Sequence, residues 1–299
     1  MPVSKEISLI LNPPHPNLLP PGEKGLLITP SPLKGEGWGE GGSIRLFVFI
    51  FLLLSLFASP ALGADISALV DKRISHDGKT LDLSGLHIDT AGAKQLAGME
   101  RLKEITTLHL QGNNIRARGM KALAKSKHLA GLKHLDLWGN MVGDIGLKAI
   151  SESPYLKQLE SLKLWKNEIS DDGIELMVVS GNFAHLKTLM LNDNLITMEG
   201  AEMLASATVF PELTTLNMFR NQIGDEGALA FARSEHFPKL ELLYVGQNNI
   251  TDQGAVALIE SQHFPQLKVL DLVMNSLGEA TMMSAFKANR KGKLQVIYR

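Results

Sequence analysis

The sequence predicts an α/β solenoid in which short parallel strands form one sheet and a helix follows each strand. The first observation is an asparagine that recurs every 27 residues, at Asn113, Asn140, Asn167, Asn194, Asn221, Asn248 and Asn275. The second is the apolar frame before each asparagine, such as Leu132, Leu135 and Leu137 before Asn140. Apolar residues two apart indicate a strand with one buried face. Units repeated at constant spacing bury those faces by stacking on one another.

The second half of each unit predicts a helix. Ser170-Asp171-Asp172-Gly173 and Thr251-Asp252-Gln253-Gly254 resemble helix N-caps, because Ser, Thr and Asp side chains accept hydrogen bonds from the first free amides of a helix. A glycine keeps the same spacing, at Gly92, Gly119, Gly146, Gly173, Gly200, Gly227 and Gly254. A further apolar column, predicted to fill the core where each helix ends, consists of Leu102, Leu129, Leu156, Phe183, Phe210, Phe237 and Phe264.

The frame around each asparagine resembles the leucine-rich-repeat signature, L-x-x-L-x-L-x-x-N-x-L. The resemblance covers residues 78–299, and the long unit is similar to the ribonuclease-inhibitor-like class, with 27-residue repeats. It implies a curved horseshoe with a concave parallel sheet and convex helices. It also implies that the asparagine column is structural, because each side chain bonds backbone groups near its turn. The cysteine-rich character of the vertebrate inhibitors is missing, so no shared target is implied.

The residues before the repeats predict export. Residues 1–43 are rich in Pro and Gly, and predict a disordered leader or a mis-assigned translation start. Residues 44–63 match a secretory signal peptide of bacterial type, with one basic residue, an apolar run and small residues near the end. Cleavage is expected between Gly63 and Ala64, which leaves no stable membrane span; an uncleaved anchor is the alternative. We therefore expect a secreted or periplasmic protein.

The two ends of the repeat region depart from the pattern, as capping units do. Residues 64–77 predict an N-terminal cap with a short helix, and residues 78–299 predict about eight repeats with a C-terminal half-repeat cap. Leu86 stands at the asparagine position of the first repeat, and Thr281 stands at the glycine position of the eighth. Ile297 lies 27 residues after Leu270, which predicts an inward position for Ile297 in the last strand.

The composition excludes several classes of function. The chain has 299 residues, a formal net charge of −1 and no cysteine. Without cysteine there is no disulfide framework, thiolate zinc site or cysteine nucleophile. Lysine and arginine are spread along the chain, so neither nucleic acid nor an anionic membrane is expected as a partner. The sequence has no phosphate-binding glycine loop and no H-E-x-x-H motif, and we expect no cofactor or metal.

The residues that flank the inward leucines should lie on the concave face, where the fold does not dictate their identity. Trp138 and Trp165 share one position on adjacent strands, which lie about 4.8 Å apart, so their rings should touch. Met190, Phe219 and Tyr244 extend this aromatic patch. Exposed apolar patches rich in Trp and Tyr mark binding sites, although rings lying flat on their neighbours could instead stabilise the sheet. The predicted polar rim of the patch contains Lys163, Lys166, Asp193, Arg220 and Gln247.

The sequence therefore predicts a non-enzymatic binding module with a protein partner at its concave face. The alternatives are an adhesin or effector that binds a host protein or a glycan, and self-association. An enzymatic alternative rests on Asp82, His109 and Asp136, expected side by side on successive strands. With Ser84 nearby, this group could bind a metal or activate a hydroxyl. An open sheet without a pocket or an oxyanion hole argues against catalysis.

Overall fold

A computed structural model of the protein describes residues 66–299. The predicted leader and signal peptide, residues 1–63, lie outside the described residues. Helix α1 (Ile66–Arg73) precedes eight strand–helix units and a final strand. The strands are β1 (Thr80–Asp82), β2 (Thr107–His109), β3 (His134–Asp136), β4 (Ser161–Lys163), β5 (Thr188–Met190), β6 (Thr215–Asn217), β7 (Leu242–Tyr244), β8 (Val269–Asp271) and β9 (Gln295–Ile297). The helices after them are α2 (Thr90–Ala97), α3 (Arg116–Ala124), α4 (Gly143–Ser151), α5 (Asp171–Val178), α6 (Met198–Ala205), α7 (Gly224–Arg233), α8 (Asp252–Glu260) and α9 (Glu279–Lys291).

The nine strands of the described chain form one parallel sheet, ordered β1 to β9 as in the sequence. From β1 to β8 each residue pairs with the one 27 positions later, so Leu135 lies between Leu108 and Leu162. The predicted α/β solenoid with a parallel sheet is confirmed. None of the helices within residues 66–299 has both the length and the apolar character that a membrane crossing requires.

The inward leucines of the strands form a continuous core with the helices. Leu132, Leu135 and Leu137 of the third unit are at most 2% exposed. The apolar column at the helix ends is also buried, from Leu102 at its start to Phe264 at its end. Because side chains alternate along a strand, the residues beside these leucines emerge on the other side of the sheet.

The last strand pairs one residue out of the predicted register. Leu270 faces Val296, which is 4% exposed, and the predicted inward residue Ile297 is only half-buried. A one-residue slip moves every side chain of a strand to the opposite face. Asn289 of α9 fixes the slip, because its Oδ1 accepts from the Val296 amide at 2.7 Å and its Nδ2 donates to the Val296 carbonyl at 3.2 Å.

Each repeat is tied to the preceding one through its asparagine. Asn167 Oδ1 accepts from the amides of Asn140 and Val142, at 3.2 and 3.1 Å. Its Nδ2 donates to the carbonyls of Leu137 and Trp165, at 2.9 and 3.0 Å. Three of these four groups belong to the preceding repeat, and Asn167 is fully buried. The side chain therefore supplies partners that buried backbone groups cannot find in their own repeat.

Because each asparagine bonds backbone groups of the preceding repeat, the first repeat needs no asparagine of its own. Asn113 already accepts from the amides of Leu86 and Ile88 in the first repeat, at 3.1 and 2.9 Å. An asparagine at position 86 would serve a repeat before β1, but that place is taken by α1, which buries Ile66 and Val70 against the core. Leu86 instead packs against the core.

A second link runs between helices, through an aspartate in the first turn. Asp225 of α7 accepts from the Thr251 amide at 2.8 Å, the Thr251 hydroxyl at 2.6 Å and the Gly254 amide at 3.0 Å. A Cβ at Gly254 would lie 2.6 Å from Asp225 Oδ1. Glycine is therefore required there, because the carboxylate of the neighbouring repeat fills the space of a side chain.

The two predicted N-caps have different outcomes. Thr251 precedes α8 and accepts from the Gln253 amide at 3.3 Å, as predicted. Ser170 is the N-cap residue of α5, as predicted, but its side chain makes no cap hydrogen bond. Its amide and hydroxyl instead donate to Asp144, each at 2.8 Å. Thr251 makes the equivalent bond to Asp225 and still caps α8, so donation to the preceding carboxylate does not by itself remove a cap bond.

A row of opposite charges crosses the sheet where the strands begin. Glu160 lies between Lys133 and Lys187, with oxygen–nitrogen distances of 2.9 and 2.7 Å. Hydrogen bonds from Lys187 and Lys133 lower the pKa of Glu160 from 4.5 to about 2. One carboxylate thus links three successive repeats.

Replacing Asn167 with leucine is expected to lower the free energy of unfolding by about 3 kcal/mol, because buried amides and carbonyls lose their partner. Urea unfolding measures the loss. The matched control is Leu86→Asn, the same position in the first repeat, which should change stability by less than about 1 kcal/mol. A loss below about 1 kcal/mol in Asn167→Leu would contradict the cross-repeat role.

Replacing Glu160 with glutamine tests the charge row. Because the pKa of Glu160 is about 2 when folded and 4.5 ordinarily, its stabilisation is complete above about pH 4.5 and is lost toward pH 2. Glu160→Gln should have a lower free energy of unfolding than the unmodified chain at pH 7, and this difference should shrink on acidification. Urea unfolding across this range measures it.

The control for this titration is Glu241→Gln. Glu241 occupies the same column three repeats later and contacts one lysine, Lys268, at 2.7 Å. The loss of stability at pH 7 should be smaller in Glu241→Gln, because only one ion pair is removed. A gap for Glu160→Gln that stays constant from pH 7 to pH 3 would rule out the proposed coupling.

Candidate functional site

The candidate site is the side of the sheet opposite the helices, which we call the open face. Its residues alternate with the buried leucines, and the register aligns them in columns across the strands. The column that we call the middle column consists of the last residue of each strand from β1 to β8: Asp82, His109, Asp136, Lys163, Met190, Asn217, Tyr244 and Asp271. The column two residues later consists of Ser84, Gln111, Trp138, Trp165, Asn192, Phe219, Gly246 and Val273.

Trp138 and Trp165 stack on the open face. Their ring centroids lie 4.9 Å apart and their planes differ by 20°. The predicted contact between the two rings is confirmed, and its distance equals the spacing of adjacent strands. Trp138 is 38% exposed and Trp165 is half-buried. The pair is therefore a rigid aromatic surface that remains in contact with solvent.

Phe219 lies across the next strand, on Gly246. A Cβ at Gly246 would come within 2.8 Å of the Phe219 ring and within 2.8 Å of the Val273 carbonyl. Phe219 is half-buried and Gly246 is buried. Because Gly246 has no side chain, the Phe219 ring can lie over it. The repeat pattern of the sequence does not reveal this contact.

The predicted aromatic patch consists of two clusters rather than one surface. The two tryptophans follow β3 and β4, Phe219 follows β6, and Tyr244 ends β7. Asn192 separates them in the second column and is only 7% exposed. Met190 of β5 is half-buried and is the apolar residue between the clusters.

Two of the predicted rim cations, Lys163 and Arg220, lie beside carboxylates. Lys163 Nζ lies 3.5 Å from Asp136, and Arg220 Nε lies 3.5 Å from Asp193. Both cations are about half exposed, at 44% and 54% of their side chains. Such exposed pairs add little to stability, so they leave charged groups available at the edge of the open face.

The column just before each asparagine adopts a left-handed backbone in every repeat. The first three repeats use glycine there, and the next five use side chains with φ between 51° and 59°. The members are Gly85, Gly112, Gly139, Lys166, Asp193, Arg220, Gln247 and Met274. A residue with a Cβ costs about 1 kcal/mol in this conformation. From the fourth repeat on, the chain therefore displays side chains beside the open face at a cost to stability.

The residues of the enzymatic alternative do not form a catalytic group. Asp82, His109 and Asp136 lie in register on β1, β2 and β3. The Ser84 hydroxyl donates to Asp82 and not to His109, whose Nδ1 is buried without a partner. Within residues 66–299 no three Asp, Glu or His side chains are grouped to hold a metal. The serine–histidine pair and the metal site that this alternative requires are both missing from the described chain.

A family model described as leucine rich repeat matches residues 104–124, 131–151, 184–205, 211–232 and 238–258. The chain is a leucine-rich-repeat protein. Stacked repeats of this kind present an extended sheet to other molecules. Leucine-rich repeats form protein-interaction modules, which is the coarse function that the sequence predicts.

Three solved structures are distant matches. A Bacteroides fragilis protein has a TM-score of 0.45 and 16% identity, over 74% of this chain and 73% of that chain. The plant peptide hormone receptor RGFR1 in complex with RGF2 has a TM-score of 0.37 and 19% identity, over 66% of this chain and 32% of that chain. Pollen receptor kinase 3 has a TM-score of 0.33 and 17% identity, over 56% of this chain and 74% of that chain. The search of curated proteins found no match.

Replacing Gly246 with alanine should lower the free energy of unfolding by about 2 kcal/mol, because the new Cβ meets both the Phe219 ring and a backbone carbonyl that cannot move away. Thermal unfolding measures the change. Gly181→Ala is the control, since a Cβ there meets nothing within 4 Å. Equal stability of the two variants would show that Phe219 does not rest on Gly246.

Proposed function

We propose that this protein is an exported binding module that recognises a protein partner through the open face. The observation that carries the proposal is the Trp138–Trp165 stack, because one ring is 38% exposed on a sheet whose fold needs neither ring. Contiguous exposed apolar surface marks interaction sites, and tryptophan is enriched among residues that dominate binding energy. The enzymatic alternative has no assembled group to support it.

The geometry favours a protein over a glycan. A sugar stacks on the flat face of an indole, but Trp138 and Trp165 turn one face each toward the other. A protein partner can use the exposed ring edges together with the charged residues around them. Lys163 and Lys166 belong to the repeat of Trp165, and Arg220 lies two repeats later. These cations would set the rate and specificity of association more than its affinity.

Export is the second part of the proposal. It is supported by the signal-peptide pattern of residues 44–63. The protein would function outside the cytoplasm, as a secreted or periplasmic binder. Intact mass measured on the protein from envelope and extracellular fractions should show an N-terminus at Ala64. A chain that keeps residues 44–63 in those fractions would contradict cleavage.

The binding test compares the protein with a Trp138→Ala/Trp165→Ala double variant in capture from extracellular and envelope fractions. The double variant should retain the circular dichroism spectrum and lose about 30-fold in affinity for the captured partner, since hot-spot truncations cost about 2 kcal/mol. Phe286→Ala is the control, because Phe286 is 56% exposed on α9, away from the open face. A partner captured equally by the double variant would place the site elsewhere and contradict the proposal.

A further inference from the structure

The aspartates of the open face and its rim are nearly all satisfied within the chain. Asp82 accepts from the Ser84 hydroxyl, Asp136 faces Lys163, and Asp193 faces Arg220. Each of these carboxylates therefore has a hydroxyl or a cation beside it.

Asp271, at the C-terminal end of the middle column, is different. Its Oδ1 accepts from the Val273 amide at 2.9 Å, and none of the ion pairs within residues 66–299 includes it. Two basic residues at the ends of β8 and β9 have partners elsewhere. Lys268 lies 2.7 Å from Glu241, and Arg299 lies over the Tyr298 ring.

The neighbours of Asp271 in register are an aromatic and an aliphatic side chain. Tyr244 precedes it on β7 and Ile297 follows it on β9. Burial raises the pKa of Asp271, and burial together with the Asp271 charge raises the pKa of Tyr244. The Val273 amide replaces part of the hydration that this half-buried carboxylate loses, and no cation of the described chain replaces the rest.

We propose that Asp271 and Tyr244 form an anchor for an arginine side chain of the partner protein. This inference rests on the proposed function. A guanidinium donates to a carboxylate and also lies on an aromatic ring, which are the two groups present here. A metal ion is a poor occupant, because a single carboxylate provides too few ligands.

The test is an NMR titration of the isotopically labelled protein with N-acetyl-arginine amide. The protein is used in the form that the expressing host produces. The neutral control ligand is N-acetyl-citrulline amide, which has nearly the same shape. Arginine amide should give saturable shifts at the amides of Tyr244 and Val273, lower the measured pKa of Asp271, and bind at least about tenfold more tightly than citrulline amide. Asp271→Asn should abolish these shifts, and Asp82→Asn, at the other end of the same column, should leave them unchanged.

Shifts that persist in Asp271→Asn, or that are equally large at Asp82 and Asp136, would overturn the anchor and indicate general attraction to acidic groups. Tighter binding of N-acetyl-lysine amide would overturn the choice of arginine. The capture experiment separates this inference from the proposed function. Capture that depends on the tryptophans but not on Asp271 leaves the function standing and removes the anchor. If arginine binds at Asp271 but capture of the partner does not depend on the tryptophans, the anchor stands and the proposed tryptophan site is wrong.

Discussion

The structure depends on one constraint: the backbone groups buried in the turn after each strand find their partner in the next repeat. Asn167 serves Asn140 and Val142 in this way, and the same bonds recur along the array. An amide left without a partner in the core costs free energy comparable to a lost hydrogen bond. A repeat can therefore neither slide nor change its length without leaving such groups unsatisfied. The in-register parallel alignment of neighbouring repeats follows from this.

The open face is a consequence of that register. Because equivalent residues of adjacent repeats lie one strand spacing apart, the identity of each column decides what the surface presents. Two tryptophans in successive repeats must then stack, and they do so at 4.9 Å. Phe219 has Gly246 as its successor, so its ring has room to lie across the next strand. The scaffold sets the spacing, and the column residues supply the chemistry.

The same rule distinguishes structural charges from charges that remain for a partner. Asp225 and Glu160 have their hydrogen bonds and cations inside the chain, on the helix and loop sides of the repeats. Asp271 lies on the open face with one backbone amide and no cation. The carboxylate of Asp271 is therefore the group for which we propose an arginine of the partner protein. The side chains from Lys166 to Met274 add further groups beside the open face from the fourth repeat on.

The sequence by itself determined the strands, the helices, the buried columns and the contact between Trp138 and Trp165. A strict repeat makes the neighbour of each residue the one 27 positions away, so these features follow from counting. Only the tertiary structure decided which hydrogen-bond partner each polar group has. The Ser170 hydroxyl bonds Asp144 and no amide of α5, Ser84 bonds Asp82 instead of His109, and Asn289 moves Val296 into the place predicted for Ile297. Those choices depend on competing donors and acceptors within about 3 Å, and the period of the sequence carries no information at that distance.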